Sequence, residues 1–253
     1  MPTSLNDTVA LITGASSGIG AASALALAAE GAKVALVARR EDRLQELAER
    51  ITAAGGTALP VVADITDSTQ AAEAVRRTVD ELGRLDTVVN NAGVMLLGPI
   101  ESAPVDEWDR MIAINIQGLL YVTHAALPHL VAAAAGPRGA ADIVNVSSVA
   151  GRSSRPNMGV YNLTKHGVGA FSEALRQETA ERHVRVSLIE PGPVATELAT
   201  HIRPEVLEGM MSAFEDSALL TAEDVAESIA FVVTRPARVV INELLIRPDA
   251  SVM

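Results

Sequence analysis

Short, nearly continuous apolar runs recur along the chain, each followed by a stretch long enough for several helical turns. The runs at 9–13 (VALIT), 33–38 (KVALVA), 58–63 (ALPVVA), 85–90 (LDTVVN), 142–147 (DIVNVS), 184–190 (VRVSLIE) and 239–246 (VVINELLI) read as seven strands. Unbroken apolar character, rather than alternation, is what a parallel strand covered on both faces requires. Alanine-rich segments at 19–30, 42–54, 68–82, about 106–135, 158–181 and 222–234 supply the helices. Strands alternating with helices imply right-handed crossovers, hence a doubly wound, seven-stranded parallel sheet with helices on both faces. No repeat or linker divides the chain, so 1–253 is expected to form one α/β domain. The long irregular excursion falls at 192–220, after the sixth run.

Open sheets of this kind bind ligands at the carboxyl ends of their strands, where strand order reverses. The first run ends in TGASSGIG, with Gly14, Gly18 and Gly20 around Ser16, Ser17 and Ile19. Glycines there let the backbone turn tightly and approach a pyrophosphate lying on a helix N-terminus. The second ends in ARRED. Ala38 stands where an NAD site would carry an acid, and Arg39 and Arg40 follow. Two guanidiniums suit the 2′-phosphate of NADP(H), which is therefore the expected cofactor. The third ends in Asp64 and Ile65, the carboxylate either meeting an adenine amino group or capping the next helix. The fourth delivers Asn90, Asn91, Ala92 and Gly93, the fifth Ser147 and Ser148, the sixth EPGPVATE with Pro191, Gly192, Val194 and Thr196.

Composition narrows the field. Residues 49% hydrophobic and 2% aromatic give a core of Ala, Val, Leu and Ile. A net charge of −11 argues against nucleic acid or an anionic membrane as partner. The absence of cysteine excludes disulfides, thiolate zinc sites and a thiol nucleophile, and the histidine spacings suggest no metal site. The start MPTSLNDT lacks a basic n-region and an apolar h-region, and the apolar runs read as too broken to span a bilayer. A cytoplasmic protein is expected.

Chemistry concentrates in VSSVAGRSSRPNMGVYNLTKHG, residues 146–167. Tyr161 and Lys165, four apart, share one face of a helix. An ammonium beside a phenol favours tyrosinate, and a tyrosine so tuned can exchange a proton with a carbonyl oxygen. His166 points to another face of that helix.

These motifs, from TGASSGIG through NNAG, Ser148 and YNLTK to PGPVATE, resemble the short-chain dehydrogenase/reductase family over essentially the whole chain. Ser148, thirteen residues before Tyr161, matches the family's spacing better than Ser147. The resemblance implies a Rossmann-type fold, a nicotinamide cofactor and a catalytic group of Asn115, Ser148, Tyr161 and Lys165. It further implies that Asn115 holds a water linking Lys165 to solvent, and that the long helices build a homotetramer, a dimer of dimers. NNAGVMLLGPI and INELLIRPDASVM are most similar to a subgroup with clavulanic acid dehydrogenase and bacterial 3-hydroxy acid dehydrogenases.

The implied reaction is reversible reduction of a small aldehyde or ketone, with Tyr161 as general acid. A 3-oxoacyl-carrier-protein reductase is an alternative, weakened by the lack of a basic patch in the excursion. A sensor that binds NADP(H) without turnover is another, weakened by the presence of both Tyr161 and Lys165. The substrate pocket is expected from Met95, Leu96, Ser148, Val149, Met158, Tyr161 and Gly192, with Leu198, Met211 and Phe214 of the excursion acting as a lid or a permanently packed helix. Arg152 and Arg155 either meet an acidic substrate group or lie in solvent or at a subunit contact.

Overall fold

The computed structural model describes residues 4–204, 206 and 219–249. Seven parallel strands form one sheet in the order β3-β2-β1-β4-β5-β6-β7. They are β1 (Val9–Thr13), β2 (Lys33–Ala38), β3 (Ala58–Val62), β4 (Thr87–Asn90), β5 (Ala141–Val146), β6 (Val184–Pro191) and β7 (Glu243–Ile246). Between them run α1 (Gly18–Ala29), α2 (Glu41–Ala53), α3 (Ser68–Leu82), α4 (Val105–Ile112), α5 (Leu119–Ala134), α6 (Gly159–Thr179) and α7 (Ala222–Val233).

Every residue of β1, β4, β5 and β6 is buried, which explains their lack of polar alternation. Their side chains divide between two cores. Ala10 and Ile12 of β1 and Val34 and Leu36 of β2 pack against α1, α2 and α7. Leu11, Ala35 and Val37 point the other way, against α3, α5 and α6. Period-2 pleating thus feeds both faces from one strand. Each fully buried Leu or Ile contributes roughly 1.5–3 kcal/mol relative to exposure.

Two elements differ from expectation. The last strand begins at Glu243 rather than 239, because the carbonyl of Val239 is drawn off by the Arg185 guanidinium at 2.8 Å. The run Val105–Ala134, expected to fall short of a membrane span, is one helical stretch of 30 residues, within which an 18-residue window has mean hydropathy 1.2. By length and composition it could cross a bilayer, yet Val122, Ala126 and Leu130 are buried against the sheet, as in a core helix.

That stretch is interrupted by a π-helical turn, Ala113–Gly118, which carries Asn115. Gly118 lets it approach the end of β3: a Cβ there would lie 2.7 Å from the Ile65 side chain. Strand order reverses between β1 and β4, and the segments leaving those strands touch. Asn91 Nδ2 donates to the Thr13 carbonyl (3.0 Å), and Thr13 Oγ1 accepts from the backbone N–H groups of Asn91 (3.0 Å) and Ala92 (3.1 Å).

Candidate active site

A cleft of about 690 Å³ opens over this switch point. Most of the expected residues line it: Gly14, Ser16, Ser17, Gly18 and Ile19 after β1, and Arg39 and Arg40 after β2. Asp64 and Ile65 follow from β3, and Asn91, Ala92, Gly93 and Met95 from β4. Ser148, Val149, Met158, Tyr161 and Lys165 come from β5 and α6, and Pro191, Gly192, Val194, Thr196 and Leu198 from β6 onward.

Three expected residues stand elsewhere. Gly20 supports the loop from behind, where any Cβ would run into the Gly14 carbonyl. Leu96 is buried in a small apolar cluster with Leu97, Met111, Ala150 and Tyr161, so it backs the pocket without lining it. Asn115 is buried behind Val94, accepting from its N–H (2.8 Å) and donating to its carbonyl (2.9 Å) and to Thr164 Oγ1 (3.2 Å). Both amide hydrogens are used, leaving no side-chain donor for the water expected there. Met211 and Phe214 lie outside the described residues.

At the β1 end the loop is shaped for an anion. Gly14 and Gly18 have φ of +66° and +52°, and a Cβ on Gly14 would sit 2.9 Å from the Ala92 backbone. Helix α1 begins without a side-chain cap and without an acid in its first turn. By contrast, Asp67 caps α3 and a Thr221–Asp224 capping box closes α7. The open N–H groups of α1 fit a dinucleotide pyrophosphate. Arg40 Nη2 donates to Ser16 Oγ (3.0 Å) and Ser17 Oγ (2.8 Å), and its other amino group pairs with Glu197 at 3.0 Å. Ser17 and Arg40 hold the Glu197 carboxyl below its ordinary pKa. Arg39 is left with its side chain 61% exposed and, among the described residues, a single ion-pair partner, Asp64, at 3.9 Å. Asp64 caps no helix; its Oδ1 accepts from Thr66 N (3.0 Å) and Thr66 Oγ1 (2.8 Å).

At the other end Tyr161 and Lys165 stand side by side, with Lys165 Nζ 5.8 Å from the ring centroid. Lys165 donates to the Val146 carbonyl at 2.9 Å. Burial pushes the Tyr161 phenol up to about 12, against a smaller pull downward from the Ser148 hydroxyl. Burial also takes Lys165 down to about 8. Burial thus opposes the lowering of Tyr161 expected from its lysine neighbour. Both serines line the cleft, but the buried Ser147 has its Oγ donating to the Lys165 carbonyl (3.1 Å), whereas the Ser148 hydroxyl interacts with the Tyr161 phenol. His166 is exposed, its ring nitrogen 2.9 Å from the Asn162 carbonyl.

Sequence reasoning missed Asn162, which clamps the loop before α6. Its Nδ2 donates to the carbonyls of Ala150 (2.8 Å) and Ser153 (3.0 Å), and its Oδ1 accepts from Arg155 N (3.3 Å). A polar residue on a buried helical position beside Tyr161 was the available signal. Arg110, on α4, was missed as well, and nothing in its local sequence marks it as lining the cleft. Arg152 does not reach the cleft; it is tied to buried Glu190 and to Glu243.

A doubly wound parallel sheet with a glycine-rich, uncapped helix start at its switch point defines a dinucleotide-binding α/β protein. With Ser148, Tyr161 and Lys165 at the same rim, the comparison with known sequences follows: residues 8–207 match the short chain dehydrogenase family, and the chain belongs to it as an oxidoreductase. It is 40% identical over 244 residues to the glycine betaine reductase ATRR of Emericella nidulans, covering 96% of this chain but 19% of that protein's length. A serine dehydrogenase complexed with NADP+ superimposes with TM-score 0.85 and 34% identity over 94% of each chain. A 3-ketoacyl-(acyl-carrier-protein) reductase from Brucella melitensis, complexed with NADH, gives TM-score 0.86 and 32% identity over 98% of this chain and 100% of that one.

Proposed function

We propose that the protein is an NADP(H)-dependent carbonyl reductase that converts an aldehyde or ketone reversibly to the alcohol. The observation that carries this reading is the single cleft joining an uncapped α1 and Arg39 to Ser148, Tyr161 and Lys165. Gly14, Ser16, Ser17 and Gly18 would hold the pyrophosphate, Arg39 the 2′-phosphate, and Lys165, Asn91, Gly93, Val194 and Thr196 the nicotinamide end. The bound cofactor supplies the hydride equivalent for reduction of the carbonyl carbon. Tyr161, whose pKa lies near 12, is protonated at neutral pH and so is ready to donate to the developing alkoxide oxygen. Ser148 donates a hydrogen bond to the same oxygen. Asn115 keeps the Val94 backbone and Thr164 in place rather than touching the reacting atoms.

The excursion 192–220 is proposed as a cover over the nicotinamide end. Its described ends are joined by Ala195 N donating to the Leu220 carbonyl (2.8 Å), and Ile202 is buried beside Tyr161 in the same apolar cluster. A cytoplasmic homotetramer fits the exposed Val105 and Leu163 on α4 and α6 and Phe231 and Leu245 near β7, and light scattering tests it. A carrier-protein-bound acyl substrate is the second reading, favoured by the Brucella neighbour and disfavoured by the net charge of −11, which repels an acidic carrier. Loss of NADPH absorbance across a panel of aldehydes and ketones tests the main reading; cofactor binding without turnover of any of them, or of a carrier-bound acyl substrate, leaves the sensor.

A further inference from the structure

We propose that the carbonyl substrate is anionic, and that Arg155 and Arg110 hold its carboxylate or phosphate at the substrate end of the cleft. This inference rests on the carbonyl-reductase reading and specifies what that site accepts. The whole chain carries −11, yet among the described residues the cleft is lined by more cations than carboxylates. Both lining carboxylates belong to the cofactor end, Asp64 near Arg39 and Glu197 paired with Arg40. At the substrate end the described lining contributes Arg110 and Arg155 and no acid.

Among the described residues three nearby acids are already engaged. Glu190 and Glu243 bind Arg152, and Glu107 binds Arg203 at 3.3 Å. Asp106 and Asp109, on the same helix as Arg110, do not line the cleft. Among the described residues neither Arg110 nor Arg155 has a carboxylate within ion-pair distance, and both are exposed residues in the lining of the cleft, so no carboxylate of the described chain neutralises either guanidinium. A planar guanidinium is well matched to carboxylate or phosphate oxygens.

Both arginines are carried by backbone that is fixed relative to Tyr161. The Arg155 N–H donates to Asn162 Oδ1 (3.3 Å), one residue beyond the catalytic tyrosine, and the Met158 N–H donates to the Arg155 carbonyl (3.3 Å). Arg110 precedes Met111, which is 1% exposed and packs in the same cluster as Tyr161. His201 also lines this end, and burial followed by the charge of Arg110 lowers its pKa, so it adds a neutral polar group rather than a third cation. Met95, Ile114 and Met158 lie in the lining as well. The substrate that fits has a reactive carbonyl, a short apolar linker and an anionic end. A quaternary ammonium head, such as glycine betaine carries, would be repelled.

In the reaction bound NADPH would supply the hydride equivalent to the carbonyl carbon while Tyr161 gives its proton to the oxygen, so that the products are the alcohol and NADP+ and the tyrosinate takes a proton back from solvent. The test compares kcat/KM for 4-oxobutanoate with that for its neutral methyl ester and for cationic betaine aldehyde. The parent should prefer the acid about 10-fold or more over the ester and reject betaine aldehyde. Arg155→Gln and Arg110→Gln should each lower the acid-to-ester ratio about 5- to 10-fold, and Arg155→Lys should restore part of it. Glyceraldehyde 3-phosphate, compared with 4-oxobutanoate, tells which anion is preferred, and preference for either supports the proposal. A calorimetric titration of the NADP+-loaded parent gives a reading independent of turnover and of the variants: butanoate should bind more tightly than butanamide. A parent that does not favour the acid, a ratio unmoved in both Gln variants, or a preference for carrier-bound acyl groups over free acids would overturn the anionic substrate. Absence of turnover with every carbonyl, whatever its charge, would instead bring down the reductase reading beneath it.

Discussion

The two ends of the cleft are made differently. At the β1–β3 end the chain presents mostly backbone: open N–H groups of α1, glycines at positive φ, and a hydroxyl-lined turn braced by Arg40. At the β4–β7 end it presents side chains from loops and helices far apart in sequence, Met95, Arg110, Arg155, Met158 and His201 among them. A dinucleotide's phosphates can be met by main-chain donors in a fixed turn, which demands particular small residues at particular spacings. A substrate is met by side chains, and many residue types can occupy those places once the loops are positioned. The first end is thus constrained by stereochemistry, the second by chemistry alone.

The largest expected effect tests whether the second end is a catalytic site at all. Tyr161→Phe keeps the buried ring and removes only the hydroxyl. Cofactor affinity and thermal stability should stay close to the parent, while kcat falls at least ~10²-fold. Turnover near the parent level would remove Tyr161 from the chemistry and leave the two ends of the cleft functionally alike.

That same contrast governs what was readable from the residues. Continuous apolar runs located β1, β4, β5 and β6, since burial on both faces leaves no other composition available. Ser148, Tyr161 and Lys165 were legible because a helix and a strand end fix their spacing. The long-range partners were not. Glu197 closing on Arg40, Asn162 clamping the loop before α6, and Asn115 turned inward on Val94 each depend on contacts between segments that local periodicity does not report. The environment of Tyr161 was only half legible for the same reason: i, i+4 spacing reveals the neighbouring Lys165, and only the packed site reveals the burial that pushes the phenol up.

Lys165 turns that last point into a stability measurement. Its pKa is lowered from 10.5 to about 8 by burial, so between those values the unfolded chain binds a proton that the native state does not. The contribution of Lys165 to stability should therefore rise with pH across that window. Below about pH 8 the native state carries the full cost of a buried ammonium, of order ~3 kcal/mol. In Lys165→Met that cost is gone, whereas the lost hydrogen bond to the Val146 carbonyl is a pH-independent offset. Urea titrations at pH 7 and pH 10 should show the stability of Lys165→Met relative to the parent falling by roughly ~2–3 kcal/mol as pH rises. A difference that does not change with pH would mean the ammonium is solvated in the native protein.

The smallest expected effect asks whether the two ends are separable. Arg39 is exposed and only loosely held by Asp64, so its guanidinium is available to a 2′-phosphate but is screened by water. A charge-assisted contact of this sort, discounted for exposure, sets the loss of NADPH affinity in Arg39→Ala at about 10-fold, with NADH little changed. Adding Ala38→Asp places a carboxylate at the end of β2, which repels the phosphate and offers an acceptor to the ribose hydroxyls of NADH. The double variant should therefore prefer NADH where the parent prefers NADPH. Neither change touches Arg110, Arg155 or Tyr161, so the order of preference among carbonyl substrates should be the same with either cofactor. Titrating both cofactors against both proteins, followed by one carbonyl panel each, decides it. Equal affinity of the parent for NADH and NADPH would remove the phosphate site at Arg39. A reordered carbonyl panel would show that the backbone end and the side-chain end of the cleft are energetically coupled.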